Sequence, residues 1–414
     1  MAAPVRAPSP TTFGERMYAQ VFKVAEFRGL WLGGLLSRAG DQLARVALAV
    51  MAYQRTDSAA LTAAVYAVTL IPALVGGPLL GWLADRYPRR ELIASCDTVR
   101  TVLIACVAIP DLSLPVLCAL VFASQLLESP TRAARIALMP DILPADVYPT
   151  GVAVNHLTSQ IMTLGGFAAG GVVVGLLGPE PSILIDAATF AAAALLTMLT
   201  LRRRPGAAAA SKESWLSATG AGFHLITASP VLRGLLGLAL LAAFHVIPEG
   251  VAVPYAASLG LGSAEAGFLM AAIPVGNVIG VVLLTRFVPV DKRLTLMGPM
   301  ALATALPLAV MVIAPPYPVI LVLWTLSGAL SAYQVSANAE FVRVVPADRR
   351  GQAVGLASSA LVAVQGLGIL AGGLIVEWTS PANGVALAGA AGLLAALPLA
   401  WSWHKAGTSA AGAR

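Results

Sequence analysis

The sequence predicts an all-α membrane protein: twelve transmembrane helices in two six-helix pseudo-repeats. Three observations predict it. The 414 residues are 58% hydrophobic and 11% charged, with a mean hydropathy of +0.82, whereas about a quarter of a soluble chain is charged. Apolar runs close to the roughly 20 residues that cross about 30 Å of hydrocarbon recur along the whole chain. Finally, the stretch from Leu143 to Gly171 recurs from Val345 to Gly373 at a constant offset of 202 residues, Pro144 to Asp146 falling on Pro346 to Asp348 and Ala169 to Gly171 on Ala371 to Gly373. Arg28, Gly29 and Leu30 likewise return as Arg233, Gly234 and Leu235.

The first 28 residues read as a cytoplasmic segment. Pro4, Pro8 and Pro10 precede charge instead of the apolar core of a signal peptide. Thr12 and Glu15 have capping-box spacing, and Phe13, Met17 and Val21 repeat opposite Glu15, Arg16 and Lys23, the pattern of a short amphipathic helix lying on a membrane. Six spans then form a first bundle over residues 29–201: Gly29 to Tyr53, Leu61 to Leu83, Leu92 to Ile109, Leu114 to Ala134, Gly151 to Leu177 and Ser182 to Leu201. Residues 202–230, containing RRRPGAAAASKES, read as a cytoplasmic linker. A second bundle over 231–402 holds Val231 to Tyr255, Ala264 to Phe287, Leu294 to Ile313, Val319 to Ser336, Ala353 to Val376 and Gly384 to Trp401, with 403–414 as a tail. The spans must be helices, because lipid cannot satisfy an open sheet and the ten-residue alternation of a barrel is missing. With both termini inside, 22 loop and terminal basic residues are cytoplasmic and only Arg55 is outside, which fixes the orientation by the positive-inside rule.

Between the second and third spans lies GPLLGWLADRYPRREL, residues 77–92. Gly81, Leu83, Ala84, Asp85, Arg86, Arg89 and Arg90 match the loop motif G-x-L-A-D-R-x-G-R-R of the major facilitator superfamily, with Pro88 in place of its glycine. The second-half loop LTRFVPVDKRL keeps Arg286 and Arg293 but has Thr285 where Asp85 sits. The chain therefore resembles that superfamily over residues 25–402. The resemblance implies two bundles around a midplane cavity, an inner gate formed by Gly81, Asp85, Arg86, Arg89 and Arg90, and Asp85 latching onto the start of span 11 around Arg350 to Ala353. Glycines four apart at Gly77 and Gly81, Gly166 and Gly170, Gly276 and Gly280, and Gly368 and Gly372 allow close helix approach. They fall in spans 2, 5, 8 and 11, which line the interface between bundles in that superfamily. Gly166 to Gly171, GFAAGG, is similar to the antiporter signature G-P-x-x-G-G of its drug-efflux branch, with Phe167 replacing the proline.

Ionisable residues inside spans are costly, so each is a candidate for function. Arg38, Asp41 and Arg45 share a face of span 1, and Asp97 and Arg100 a face of span 3; Glu128, Asp186 and Glu249 stand in spans 4, 6 and 7. A proton carrier needs a desolvated acid without a fixed cation beside it. Glu249 fits, since no base follows Arg233 in its own span. Asp41 has two flanking arginines, so it is expected to recognise a cationic substrate or to lock Arg100. The packing alternative pairs Asp97 with Arg100 and Glu128 with the nearby basic loop, and makes His156 and His245 hydrogen-bonded packing residues. Asp186 remains a further candidate for coupling.

Cys96, Cys106 and Cys118 lie in apolar runs and indicate neither a disulfide framework nor a metal site. None of the four lysines follows a glycine, so there is no P-loop, and no HExxH, CxxC or GxSxG occurs. The sequence thus points away from an enzyme, a cofactor, a metal and a nucleic-acid partner. The runs FRGLWLGGLLSRAGDQLARVALAV, SCDTVRTV and ESPTRAARIALMPDILP resemble the bacterial subgroup of enterobactin exporters and macrolide-efflux proteins. That resemblance implies a monomeric secondary transporter of the bacterial inner membrane that exports an amphipathic small molecule by proton antiport. Proton-coupled uptake of a nutrient and a non-transporting receptor or scaffold stay as alternatives.

Overall fold

Each of the twelve apolar runs is helical for most of its length in the structure, a computed structural model that describes residues 19–204, 223–346 and 349–411. Most of the expected amphipathic segment, and linker residues 205–222, lie outside the described residues. In chain order the helices are α1 (Ala25–Thr56); α2 in three pieces, α2a (Ala59–Val68), α2b (Pro72–Leu80) and α2c (Leu83–Arg86); α3 (Arg89–Val107); α4 (Leu114–Ile142); α5 (Tyr148–Leu177); and α6 (Pro179–Thr200). The second half continues with α7 in pieces α7a (Pro230–Leu240), α7b (Ala242–His245) and α7c (Ile247–Ser258); α8 (Ser263–Phe287); α9 (Val290–Ala309); α10a (Tyr317–Leu330) and α10b (Tyr333–Val344); α11 (Arg350–Trp378); and α12 (Pro381–Ala411).

Nine helices among the described residues are long and apolar enough to cross a membrane. The other three expected spans fall short for visible reasons: α1 carries Arg38, Asp41 and Arg45, α3 carries Asp97 and Arg100, and α2 is broken. Proline breaks it, because Pro72 brings no N–H to the helix and opens a new one at Thr69–Ile71. Pro248 sits at the same kind of joint, between α7b and α7c. Large apolar side chains such as Leu176, Leu199 and Trp378 are strongly exposed, as a lipid-facing surface requires.

Connections are short where α1 meets α2, α5 meets α6 and α7 meets α8. Asp57 ends α1 in the left-handed region, and Ser58 then caps α2a by accepting from the Leu61 N–H at 3.2 Å. Gly178 alone joins α5 to α6 at φ +88°, a conformation that favours glycine. The opposite side carries the α2–α3 loop with Arg86, Arg89 and Arg90. These two ends are called the short-turn side and the basic-loop side below.

The core has one part on the short-turn side and two on the basic-loop side. A single cluster joins Val50, Tyr66, Phe167 and Val174 of the first half to Tyr255, Met270, Trp324 and Ile369 of the second. Toward the basic loops the apolar packing divides, into a cluster around Phe27, Ile93, Leu138 and Leu143, and another around Leu235, Met297, Tyr333 and Phe341. The two halves are therefore packed together at one end and separate at the other.

The glycines trace this wedge. A Cβ on Gly171 of α5 would lie 2.7 Å from the Cα of Gly267 on α8, so backbones touch there across the halves. Gly373 of α11 meets Ala63 of α2a, and farther along Gly366 is 3.5 Å from Ile71 by the same measure. Beyond that point Gly77 of α2b and Gly355 of α11 have open space before them. The glycine pairs expected at the bundle interface take other places in this arrangement. Gly166 and Gly170 pack on Gln42 and Leu43, Gly276 and Gly280 on the α10a backbone at Thr325 and Ala329, and Gly368 and Gly372 on Ala243 and Ile247. These three pairs pack within their own halves, because a helix at the interface also has a neighbour behind it. The residues one position on, Gly171 and Gly373, make the contacts across.

Candidate functional site

The wedge encloses a cavity of about 230 Å³ lined from both halves: Gln160 and Thr163 of α5, His245 and Glu249 of α7, Asn277 of α8, Ser331 and Gln334 near the α10 joint, and Gln365 of α11. It shares Gln160, Asn277 and Gln334 with a second cavity of about 480 Å³ that runs toward the basic-loop side past Leu235, Asn338, Phe341 and Ser358. Among the described residues lining the two, Glu249 is the one carboxylate. Its position follows from local sequence: Pro248 interrupts the α7 ladder, and the new helix places Glu249 in its first turn.

Glu249 Oε2 accepts a hydrogen bond of 3.2 Å from Tyr66 Oη, which comes from α2a in the other half and is buried. His245 is buried with Nδ1 lacking a hydrogen-bond partner, so it is not the satisfied packing histidine expected. Asn277 Nδ2 donates to Ser331 Oγ at 2.9 Å, tying α8 to the joint of α10.

The remaining charges gather inside the first half. Arg100 is fully enclosed; its Nη2 donates to Asp41 Oδ1 at 2.8 Å and its guanidinium stacks 3.9 Å from the centroid of Phe190. Gln125 Nε2 also donates to Asp41 Oδ1, at 3.2 Å. Asp97 does not pair with Arg100; Arg135 Nη2 of α4 donates to it at 2.9 Å. One helical turn separates Asp97 and Arg100 on α3, but α4 lies against the first and α1 against the second. Glu128 pairs with Arg132 one turn along α4. Asp186 is buried on α6 with Oδ2 unpartnered, and it lies against Gly40 and Thr189, away from the central cavity. Of the arginines flanking Asp41, Arg38 turns to α5, its Nη2 donating to Asn155 Oδ1 at 2.8 Å.

At the basic loop Arg89 Nη1 donates to Asp141 Oδ2 at 2.7 Å and to the Ala137 carbonyl at 2.9 Å, Arg90 donates to the Met198 carbonyl, and Arg86 lies 5.7 Å from the Trp82 ring centroid. The loop is thereby fastened to α4 and α6 of its own half. Gly81 closes onto the Gly77 carbonyl through its N–H at 2.8 Å. The side chain of Asp85 is outside the described residues. Sequence reasoning missed Tyr66, Gln160, Asn277, Gln334 and Gln365. The available signal was an amide or phenol within an otherwise apolar span, the residue type that orients a small molecule in a pocket.

The family model described as the Major Facilitator Superfamily matches residues 30–288 and 249–412. Among curated proteins, the enterobactin exporter EntS of Shigella boydii is 28% identical over 263 residues, 61% of this chain and 62% of the exporter, so the chain spans about three fifths of that relative. The multidrug efflux pump Tap of Mycolicibacterium fortuitum is 24% identical over 364 residues, 83% of this chain and 87% of the pump. A solved structure of a bacterial homologue of the human lysosomal transporter Spinster, in an inward-facing occupied conformation, superposes with a TM-score of 0.72 at 15% identity over 91% of this chain and 96% of that one.

Proposed function

Because the chain belongs to the major facilitator superfamily, we propose that it is a secondary active exporter that moves an amphipathic small molecule out of the cytoplasm by alternating access, in antiport with protons. The observation that carries this reading is the cavity between the halves, with Glu249 as the one carboxylate among its described lining residues. Its amide walls offer both donors and acceptors, and its extension offers Leu235 and Phe341, a combination that suits a molecule with polar and apolar faces.

The units that rock are residues 29–201 and 231–402, joined by linker 202–230. The density of basic residues on one side makes that side cytoplasmic, so the wedge faces inward with its outer end closed. Glu249 and the solute share one cavity, and antiport follows when occupancy by a proton and by the solute disfavour one another there. Tyr66 makes the charge on Glu249 felt in the opposite half, because an ionised carboxylate accepts a stronger hydrogen bond than a neutral one. The relatives named as an enterobactin exporter and a multidrug pump favour outward transport.

Two measurements test this. Expression in an efflux-deficient host should lower accumulation of a toxic amphipath and raise tolerance to it; accumulation above the control overturns export in favour of uptake. In inverted vesicles with an imposed pH gradient, Glu249→Gln should abolish gradient-driven transport, a loss of at least tenfold, while solute binding persists. Uphill transport by Glu249→Gln with unchanged pH dependence would move coupling to Asp41 or Asp186.

A further inference from the structure

We propose that the pocket between α1, α4 and α5 is a second binding site, and that it takes the oxyanion end of an amphipathic aromatic anion. The pocket has a volume of about 400 Å³ and shares no lining residue with the central cavity. It lies inside the first half, toward the basic-loop side, between the start of α1, the latter part of α4 and the start of α5.

One wall is apolar and aromatic, from Phe27, Trp31, Met139 and Tyr148. The indole of Trp31 is held in place by donating from Nε1 to Thr158 Oγ1 at 2.9 Å, and it packs edge-on against Phe22 with centroids 5.1 Å apart. A flat apolar body has a preformed surface to lie on.

The other wall carries three guanidinium groups, and the partners of two are accounted for. Arg132 pairs with Glu128 and Arg135 with Asp97, while the second acid of the pocket, Asp41, is taken by Arg100 and Gln125. Arg38 forms no ion pair among the described residues. Its Nη2 donates to the amide oxygen of Asn155, and its Nε is buried without a hydrogen-bond partner. Both acids that line the pocket, Asp41 and Glu128, are ion-paired with other arginines, Arg100 and Arg132. Gly34 keeps the α1 backbone clear of two of these guanidiniums. A Cβ there would be 3.1 Å from Arg38 Nη2 and 3.7 Å from Arg135 Nη1, so any side chain would crowd the approach to both. Planar guanidinium groups match the spacing of carboxylate, sulfonate and phosphate oxygens. An incoming oxyanion would satisfy Arg38, and its aromatic or acyl body would follow the Trp31 wall. Solute anions and the phosphate of an anionic lipid share this chemistry.

The test is equilibrium binding to the full-length protein in detergent and in phosphatidylcholine nanodiscs, so its outcome does not depend on transport, direction or coupling. The probes are radiolabelled naphthalene-1-acetate and its neutral twin naphthalene-1-acetamide. Wild type should bind the acetate at least tenfold more tightly than the acetamide. Arg38→Gln should lower acetate affinity to the acetamide level without changing acetamide binding, and Arg38→Lys should recover part of it. Should Arg38→Gln fail to insert, Gly34→Ala decides in its place by weakening acetate binding severalfold. Displacement of acetate by phosphatidylglycerol, lost in Arg38→Gln, assigns the site to a lipid headgroup; retention of acetate in phosphatidylglycerol assigns it to a solute. Equal affinity of wild type for the two probes, or acetate binding by Arg38→Gln or a folded Gly34→Ala at the wild-type level, overturns the site and leaves Arg38 a tie between α1 and α5.

Discussion

Arg100 of α3 ties α1 to α6 inside the first half. Fully enclosed, it serves Asp41 by hydrogen bond and Phe190 by stacking. Arg100→Ala leaves Asp41 as a buried carboxylate supported by Gln125 alone, and removing one partner of a buried pair costs about 3–5 kcal/mol. The expected result is a large drop in melting temperature in detergent. Pairing Arg100→Leu with Asp41→Asn should recover much of the loss, since a neutral buried pair needs no counter-charge; a double variant as unstable as Arg100→Ala would show that stacking on Phe190 dominates. Asp41→Asn by itself should alter stability more than solute affinity, because the acid is engaged. Tyr66→Phe removes the donor to Glu249 and nothing else. A hydrogen bond to a charged group contributes about 1.5–3 kcal/mol, so this change should shift the pH dependence of vesicle transport; an unchanged profile would separate Tyr66 from coupling.

Among elements, the short-turn side is closed by two contacts of different kinds. Helices α5 and α8 meet backbone to backbone at Gly171 and Gly267. Helix α11 reaches α2a through Glu377, whose Oε2 accepts from Ser58 Oγ at 3.0 Å and from the Ala60 N–H at 3.1 Å, a carboxylate at a helix N-terminus where the exposed N–H groups favour negative charge. Gly171→Val and Glu377→Gln should each open this side. In a cysteine-free background, a reporter Ala257→Cys, which lines a recess of about 370 Å³ between the end of α1 and the α7–α8 turn, should then react severalfold faster with a membrane-impermeant maleimide, and unchanged labelling in both would deny them a gating role. A different tie anchors the linker to α1. Glu26 receives Arg204 Nη1 at 2.6 Å and the Arg202 N–H at 3.2 Å. Burial works to raise its carboxyl pKa, yet the hydrogen bonds and charges of Arg204 and Arg202 outweigh it and hold the value below the ordinary 4.5. A depressed carboxylate stabilises the fold above its unfolded pKa and loses that contribution as pH falls through the folded value. Wild type should therefore lose melting temperature below about pH 4.5 more steeply than Glu26→Gln does; identical acid profiles would show that this tie adds nothing.

For the molecule as a whole, the proposed alternating access makes the wedge one of two states and assigns the basic loop to the other. Open space before Gly77 and Gly355 marks the faces of α2b and α11 that would approach when the basic-loop side closes. Asp85 stands one turn before Arg89, which is fastened to Asp141 of its own half. Asp85→Asn should slow transport at least severalfold and leave the melting temperature within a degree or two, because the contact it makes forms in the closed-inside state. Wild-type transport by a correctly inserted Asp85→Asn would remove this role.

What the sequence determined by itself is whatever depends on neighbours along the chain. Hydropathy and helical length located the spans, the offset of 202 residues exposed the duplication, and the run from Gly77 to Leu92 carried the family resemblance that the superfamily match bears out. Proline positions foreshadow the joints in α2 and α7, because a missing N–H acts locally. Glu249 was legible as a candidate because it is an acid in an apolar span. Tertiary structure decided which way each charge turns. Arg38 is within one turn of Asp41 on the same helix, yet it meets Asn155, while Asp41 takes Arg100 from another helix. The same holds for the glycines, where Gly171 rather than Gly170 makes the contact across the halves. A helix turns 100° per residue, so the sequence gives a residue's position along the helix, but which neighbour it meets depends on how the helix is rotated in the packed bundle, and that is set by all the other helices at once.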